Sequence, residues 1–344
     1  LNLRNITVQG LWFYRNILFL AAYGAVAVQE LTEKQIRAFI RLNLSLGLLL
    51  GGIGTLSYFR GWDLALYEAL ITGGPVSETR GTVVGAGFLG LFRGSVGPWF
   101  ATLCILGLVN YTSEVGIWRK ISLLTSVIAV IVLVFSFSRA GLLGLLVGLI
   151  MVVFLDIYCN KKTLWGLAVA LAVVLLMFLQ GPQELKDRYL PTQWKEGPSG
   201  LDPSASWRLR AWSTSLSLIT SDVGLLLIGI GPTNREGVYE LIGLFGAHNE
   251  YLDVIFRMGI IGFLVLILTL HNGLRQLVKK RKTEKLSTFS ISKAGIAILI
   301  ANAVIGITQT HLLHDHATYV WGFYLYTLYG LLIGGSKKTD VLTI

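Results

Sequence analysis

Long runs of apolar residues, separated by short charged segments, constrain this sequence more than any other feature. Each run holds roughly 18 to 22 residues, enough for a helix rising 1.5 Å per residue to cross about 30 Å of hydrocarbon. A helix satisfies its own backbone hydrogen bonds, which a membrane interior requires. Only 14% of the 344 residues are charged, whereas soluble domains have about 25%. The pattern predicts an all-α polytopic membrane protein and excludes a soluble enzyme, a fibre and a disordered tail.

Counting apolar runs between charged breaks predicts about nine membrane-spanning helices. Their approximate positions are residues 11–28, 38–58, 96–111, 121–137, 140–157, 164–179, 252–270, 294–309 and 317–333. We therefore divide the chain into N-terminal transmembrane helices (1–180), a large outward loop domain carrying amphipathic helices (181–251) and C-terminal transmembrane helices (252–344).

Lysine and arginine are concentrated in alternate connections, which sets the expected orientation. The most basic connection, residues 275–293, has Glu284 as its one acid, and such segments favour the cytoplasmic side. In the 181–251 segment acids and bases are balanced, so this segment is predicted to face outward. The net charge of +10 is then explained by the anionic inner leaflet rather than by nucleic acid. With the C-terminus inside, nine spans place Leu1 outside, and we expect further N-terminal spans before it.

The outward segment is predicted to contain an amphipathic helix that begins after Ser204 or Ser206 and ends near Thr220. Its expected apolar face, with Arg208 projecting elsewhere, consists of Trp207, Trp212, Leu216 and Ile219. A glycine-rich turn follows at Gly229 to Pro232. We exclude a nucleotide site there, because the downstream glycines of a dinucleotide fingerprint and a preceding βαβ unit are missing.

Two positions stand out as candidates for chemistry. His248 is predicted at the outer mouth of a span, where an imidazole can accept a proton from a hydroxyl nucleophile. The alternative is an interfacial histidine without a chemical role. Arg139 is predicted at the outer boundary, where a guanidinium is costly unless it is paired or faces a wet cavity. It can bind phosphate oxygens bidentately, or it can extend to lipid headgroups instead.

Other polar residues have simpler interpretations. Arg257 follows Asp253 by four residues, which is typical of a local ion pair on a helix. The turn from His311 to His316 lacks the spacing of a metal-ligand set. Cys104 and Cys159 fall inside or at the end of apolar runs and indicate neither a disulfide framework nor a thiolate site. The sequence therefore predicts neither a metal nor a cofactor.

Five short segments, taken in order, resemble the O-antigen ligase and O-antigen polymerase family. They are Ser138 to Gly141, Arg208 four residues before Trp212, Leu227 to Pro232, Ala247 to Leu252, and Gly259 to Gly262. Together they cover roughly residues 121–263. An Asn-Pro-Asn-like signature that members often show is absent between Gly81 and Pro98, which leaves no expected donor contact there.

Members of this family are polytopic glycosyltransferases of the bacterial inner membrane. The resemblance implies transfer of a glycan from undecaprenyl diphosphate to an acceptor hydroxyl on the periplasmic side, with inversion and without nucleotide sugar or metal. It implies that Arg139 and Arg208 bind the diphosphate and that His248 is the base. Arg210 has no clear family counterpart. The secondary candidates for substrate binding are Arg210, Asn249 and Glu250.

The acceptor stays open between two members of this family. A ligase uses the lipid A core, whereas a polymerase uses another lipid-linked repeat or a growing glycan. We favour the ligase, because the outward loop is single and the resemblance is strongest in the part shared with ligases. Rivals from other classes are a polysaccharide-lipid transporter and a membrane scaffold for polysaccharide assembly. A transporter typically shows two related halves with broken helices, and no internal repeat is present.

Overall fold

A computed structural model describes six stretches of the chain: residues 32–60, 93–136, 138–156, 203–231, 249–283 and 291–308, with isolated positions in 164–175 and 328–330. Eight helices and no strand occur within these stretches. They are α1 (Glu33–Arg60), α2 (Arg93–Ser113), α3 (Gly116–Phe135), α4 (Arg139–Leu155), α5 (Pro203–Ser221), α6 (Val223–Ile228), α7 (Glu250–Thr283) and α8 (Ile291–Thr308). The all-α prediction is confirmed for this part of the chain.

Four of these helices are long and apolar enough to cross a membrane, namely α1, α3, α7 and α8. They correspond to the predicted spans at 38–58, 121–137, 252–270 and 294–309. Helix α4 is apolar but shorter, and α2 contains Pro98. The predicted span at 11–28 lies outside the described residues, and those at 164–179 and 317–333 lie mostly outside them.

Short connections make neighbouring helices antiparallel. Only Glu114 and Val115 separate α2 from α3, and Gly116 takes a positive φ of 60° at this turn. Residues 136–138 separate α3 from α4. The bundle therefore has two ends, which we call the Arg139 end and the basic end. The basic end contains the N-termini of α1, α3 and α8 and the C-termini of α2, α4 and α7.

A buried carboxylate joins three helices at the basic end. Glu114 is only 5% exposed, and Arg41 donates hydrogen bonds of 3.1 and 2.8 Å to its two carboxylate oxygens. Arg37 donates a longer bond of 3.4 Å, and the Arg41 guanidinium lies 5.0 Å from the centroid of the Trp118 ring. A buried charge is tolerated only when it is paired and hydrogen-bonded. Glu114 thus fixes the start of α1 against the turn between α2 and α3.

A second set of polar contacts aligns α4, α7 and α8 at the same end. Lys293 of α8 forms an ion pair of 3.3 Å with Asp156, which follows α4. Arg281 of α7 donates a hydrogen bond to the carbonyl oxygen of Leu155. Cations from the start of α1 and from the 275–293 connection therefore gather at one end of the bundle, as the alternation of charge along the sequence predicts.

Helix α8 packs closely against α4 through small residues. A Cβ atom at Gly144 of α4 would lie 2.9 Å from the carbonyl oxygen of Ala301 and would overlap the side chain of Ile305. Gly148, one turn further, faces Ala301 as well. Small residues spaced by four allow membrane helices to approach closely, since packing rather than water drives their association. This contact brings the start of α4 and the end of α8 to the Arg139 end.

We expect Gly144→Ala to lower the unfolding temperature of the purified protein, because overpacking costs about 1–3 kcal/mol. Gly52→Ala of α1 is the matched control, since a Cβ there meets no atom within 4 Å. Both variants gain similar helix propensity, so their difference isolates the packing effect. Equal unfolding temperatures for the two variants would contradict the close packing of α4 on α8.

Candidate functional site

The turn between α3 and α4 places Arg139 at the first position of α4. The side chain of Ser138 caps this helix by accepting a hydrogen bond of 3.2 Å from the backbone N–H of Gly141. A Cβ atom at Gly141 would lie 2.8 Å from the Cα of Gly97, so the two glycines let α2 cover the turn. Ser138 is 7% exposed, whereas Arg139 is half-buried. Serine and glycine of this motif therefore hold the turn that presents the arginine.

Arg208 lies on the inward face of α5. The buried residues of this helix are Ala211, Ser215 and Ile219, and Arg208 continues the same stripe one turn earlier. The side chain is half-buried, and its Nε atom is buried. The predicted apolar face was wrong for Leu216, which is 48% exposed, and for Arg208, which was expected to project elsewhere. The inward face of α5 therefore contains the small residues Ala211 and Ser215 rather than a continuous row of large apolar side chains.

Arg210 lies on the opposite, exposed face of α5. It is two residues from Arg208, and residues two apart on a helix point in different directions. The two arginines of this helix therefore have different surroundings, one inward and one facing away from the bundle.

Helices α5 and α6 are attached to the first turns of α7. Ile219 packs on Phe256, with Leu225 and Leu226 beside them. The backbone N–H of Ile230 donates to the carbonyl oxygen of Phe256, and that of Gly231 donates to the carbonyl oxygen of Arg257, each at 3.0 Å. Both carbonyls lie just before the kink of α7 at Gly259, where the backbone is not helical.

Two glycines make this attachment possible. Gly229 has φ 77° and ψ −176°, and Gly259 has φ 65° and ψ −173°, a region essentially limited to glycine. A Cβ at Gly229 would lie 2.6 Å from the backbone nitrogen of Met258, and one at Gly259 would overlap the backbone of Leu227 and Ile228. We call this backbone contact the Gly229–Gly259 junction.

The start of α7 is fixed by a cap and by contact with α8. The Asn249 side-chain oxygen accepts hydrogen bonds from the backbone nitrogens of Tyr251 and Leu252, at 3.0 and 3.1 Å. The Tyr251 hydroxyl donates to the carbonyl oxygen of Ala303 at 2.6 Å, and Glu250 is fully buried. The Asn249 oxygen, a secondary candidate for substrate binding, thus stabilises the helix start.

Arg139 and the start of α7 come to the same end of the bundle through the contacts of α4 and α7 with α8. Arg139 begins α4, and five residues later, about 7 Å along the axis, Gly144 meets Ile305 of α8. The next residue of α8, Gly306, faces Glu250, because a Cβ there would lie 3.4 Å from the Glu250 Cβ. Helix α5 packs on α7 through Ile219 and Phe256, and Arg208 lies eleven residues before Ile219. His248 lies outside the described residues, immediately before the Asn249 cap.

Two further charged residues of α7 are buried at this end, and their burial could not be foreseen from the sequence. Asp253 is 2% exposed and Arg257 is 3% exposed, and they share one helix face with Glu250. This face lies between the side that contacts α8 through Tyr251 and the side that contacts Ile219 through Phe256. Glu250, Asp253 and Arg257, which we call the buried stripe of α7, therefore face the boundary between α8 and the helices α5 and α6. The four-residue spacing of Asp253 and Arg257 is the one sequence signal at these positions, and it indicates only a local ion pair on a helix.

Residues 124–267 match the family model described as O-antigen ligase. This part of the chain is therefore similar to the O-antigen ligase family. The matching segment contains Arg139, Arg208, the Gly229–Gly259 junction and the buried stripe of α7. The O-antigen ligase family implies a glycosyltransferase-like enzyme. The four candidate spans of this chain, together with the family, indicate a multi-pass membrane protein. Among curated proteins, the chain has no significant match.

The O-antigen ligase domain shows no metal-binding arrangement in its described part. Within the described stretches, no group of three or more histidine, cysteine, aspartate or glutamate side chains is placed to hold a metal ion. The guanidinium groups of Arg139 and Arg208 are suited to phosphate oxygens, which guanidinium groups bind in a planar, bidentate manner.

We expect Gly259→Ala to open the Gly229–Gly259 junction, because the new methyl group overlaps the backbone of α6. Hydrogen–deuterium exchange should then accelerate at the amides of Ile230 and Gly231, which lose their acceptors. The control is Gly116→Ala, where a φ of 60° adds strain but no atom lies within 4 Å. Unchanged exchange in Gly259→Ala, or equal acceleration in the control, would contradict the junction.

Proposed function

We propose that this protein transfers a glycan from undecaprenyl diphosphate to an acceptor hydroxyl at the Arg139 end, and that this end faces the periplasm of a bacterial inner membrane. The observation that carries the proposal is the position of the site residues on separate helices of the segment that matches the family model. Arg139 begins α4, Arg208 lies on the inward face of α5, and the residue after His248 caps α7. We infer that these three distant parts of the sequence supply one end of the bundle, opposite to the basic end.

Arg139 and Arg208 are proposed to bind the donor diphosphate. A guanidinium keeps its charge at any working pH, and two of them can neutralise the charge that develops as the sugar–phosphate bond breaks. Arg139 is also at the N-terminus of α4, where the helix dipole favours an anion. The half-buried setting of both side chains strengthens their electrostatic effect relative to water.

His248 is proposed to accept the proton of the acceptor. The acceptor oxygen attacks the anomeric carbon, the bond from that carbon to the phosphate oxygen breaks, and undecaprenyl diphosphate leaves with the electron pair. The acceptor proton passes to the imidazole. Attack opposite to the leaving group inverts the anomeric centre, and the step needs neither metal nor cofactor. Asn249 and Glu250 support this base by fixing the helix start that follows it.

We expect Arg139→Ala and Arg208→Ala each to lower the transfer rate about a hundredfold, since one positioned charge contributes on the order of 3 kcal/mol. Arg210→Ala should cause a smaller loss, because this side chain faces away from the bundle. Arg275→Ala at the basic end should leave the rate unchanged. Rates are measured in vesicles with a lipid-linked glycan donor, and equal losses for Arg208→Ala and Arg210→Ala would contradict the inward role of Arg208.

His248→Ala should reduce transfer at neutral pH while leaving donor binding intact, because the imidazole acts on the acceptor. The comparison of the maximal rate with the donor Michaelis constant separates these effects. Near-wild-type turnover by this variant would remove His248 from the role of base.

The acceptor is proposed to be the lipid A core, in keeping with the ligase description of the matching family. Purified protein is supplied with one lipid-linked donor and either lipid A core or a second lipid-linked repeat, and the products are analysed by mass. A glycosylated core supports the ligase, whereas a lengthened lipid-linked glycan supports the polymerase. If neither product forms and the donor instead crosses the bilayer, the protein is a transporter.

A further inference from the structure

Helix α6 exposes more apolar surface than a short helix in water normally does. Val223 is 72% exposed, Ile228 is 70% exposed and Leu227 is 44% exposed. The opposite side of the helix is occupied, because Leu225 and Leu226 pack near Phe256 of α7. The exposed side chains therefore form an apolar face that looks away from the protein.

The end of α6 lies beside a part of α7 that also exposes apolar side chains. Gly259 of α7 contacts the backbone of Leu227 and Ile228, so the end of α6 is at the kink. Beyond the kink α7 is a candidate membrane span that exposes large apolar residues. These residues include Ile261, Leu264 and Leu268, which are 58%, 52% and 63% exposed. The exposed apolar residues of the two helices therefore lie on either side of the Gly229–Gly259 junction.

Helix α5, which precedes α6, has a different outer face. Most of its exposed residues are polar, namely Arg210, Ser213, Thr214, Ser217 and Thr220, with Leu209 and Leu216 among them. Asp222 separates the two helices, is exposed and caps α6 through hydrogen bonds from Gly224 and Leu225. The polarity of the outer surface therefore changes from mainly polar to apolar at Asp222.

We propose that α6 is embedded among the acyl chains of the bilayer leaflet at the Arg139 end, with Asp222 at the boundary with water. The occupant of its apolar face is lipid hydrocarbon, because this face extends the lipid-facing surface of a spanning helix. A helix with an apolar outer side and a polar neighbour is suited to this depth. The inference goes beyond glycan transfer: it states what holds the helix bearing Arg208 at a fixed distance from the membrane.

Spin labels at single cysteines test this placement. Ile228→Cys and Val223→Cys are each prepared with Cys104→Ala and Cys159→Ser, labelled with a nitroxide and reconstituted in lipid vesicles. Power saturation then compares collision with oxygen, which is enriched in hydrocarbon, with collision with a water-soluble nickel complex. The reference positions are Ile261→Cys for the lipid-facing surface and Leu216→Cys for the outer face of α5.

Labels at 228 and 223 should collide mainly with oxygen, as the label at 261 does, and the 216 label should collide mainly with nickel. A 228 label that resembles the 216 label would overturn the proposal, because α6 would then lie in water. Protection from both reagents would also overturn it, since a second copy or another protein would then cover the face. The readout needs no substrate, so it is independent of the proposed glycan transfer, and two label positions guard against one variant that fails to fold.

Discussion

The backbone contact between Gly229 and Gly259 joins helices α5 and α6 to the kinked helix α7. On one side of this contact is the kink of α7, and on the other is the end of α6. Neither glycine can carry a side chain there, because the conformations are those of glycine and the space is filled by backbone. The inward arginine of α5 depends on this contact for its position relative to the start of α7.

Both ends of the bundle contain ionisable side chains that are shielded from solvent. At the basic end the buried Glu114 is paired with Arg41 and Arg37, and the partly exposed Asp156 is paired with Lys293. At the Arg139 end, Glu250, Asp253 and Arg257 are buried on one face of α7, and half-buried arginines come from α4 and α5. Burial of ionisable groups is costly, and their concentration in one place is typical of functional sites. The first end is suited to stability, and the second is the one at which we place catalysis.

Hydropathy predicts the described spans well, because a long apolar run has no alternative to a helix in a membrane. The placement of Arg139 at the start of α4 also follows from local signals, since Ser138 is a cap and Gly141 permits close packing. The orientation of α5 does not follow from periodicity alone. Its buried stripe of Ala211 and Ser215 is not apolar enough to be recognised, so Leu216 was assigned to the wrong face.

Tertiary contacts explain the other features that the sequence does not reveal. The glycine-rich turn at Gly229 is visible in the sequence, but its structural role requires Gly259, which is 30 residues away. The burial of Asp253 and Arg257 depends on helices from three segments, and no pattern within α7 indicates it. Local chemistry is therefore readable in the sequence, whereas the convergence of distant backbone segments is not.

We propose that the Arg139 end recognises a lipid diphosphate. The most direct measurement is the dissociation constant of a glycan-free polyprenyl diphosphate, compared with the monophosphate, for the protein in lipid nanodiscs. We predict that the wild-type protein binds the diphosphate more tightly, and that Arg139→Ala and Arg208→Ala lose this preference. An unchanged preference in both variants would contradict the account.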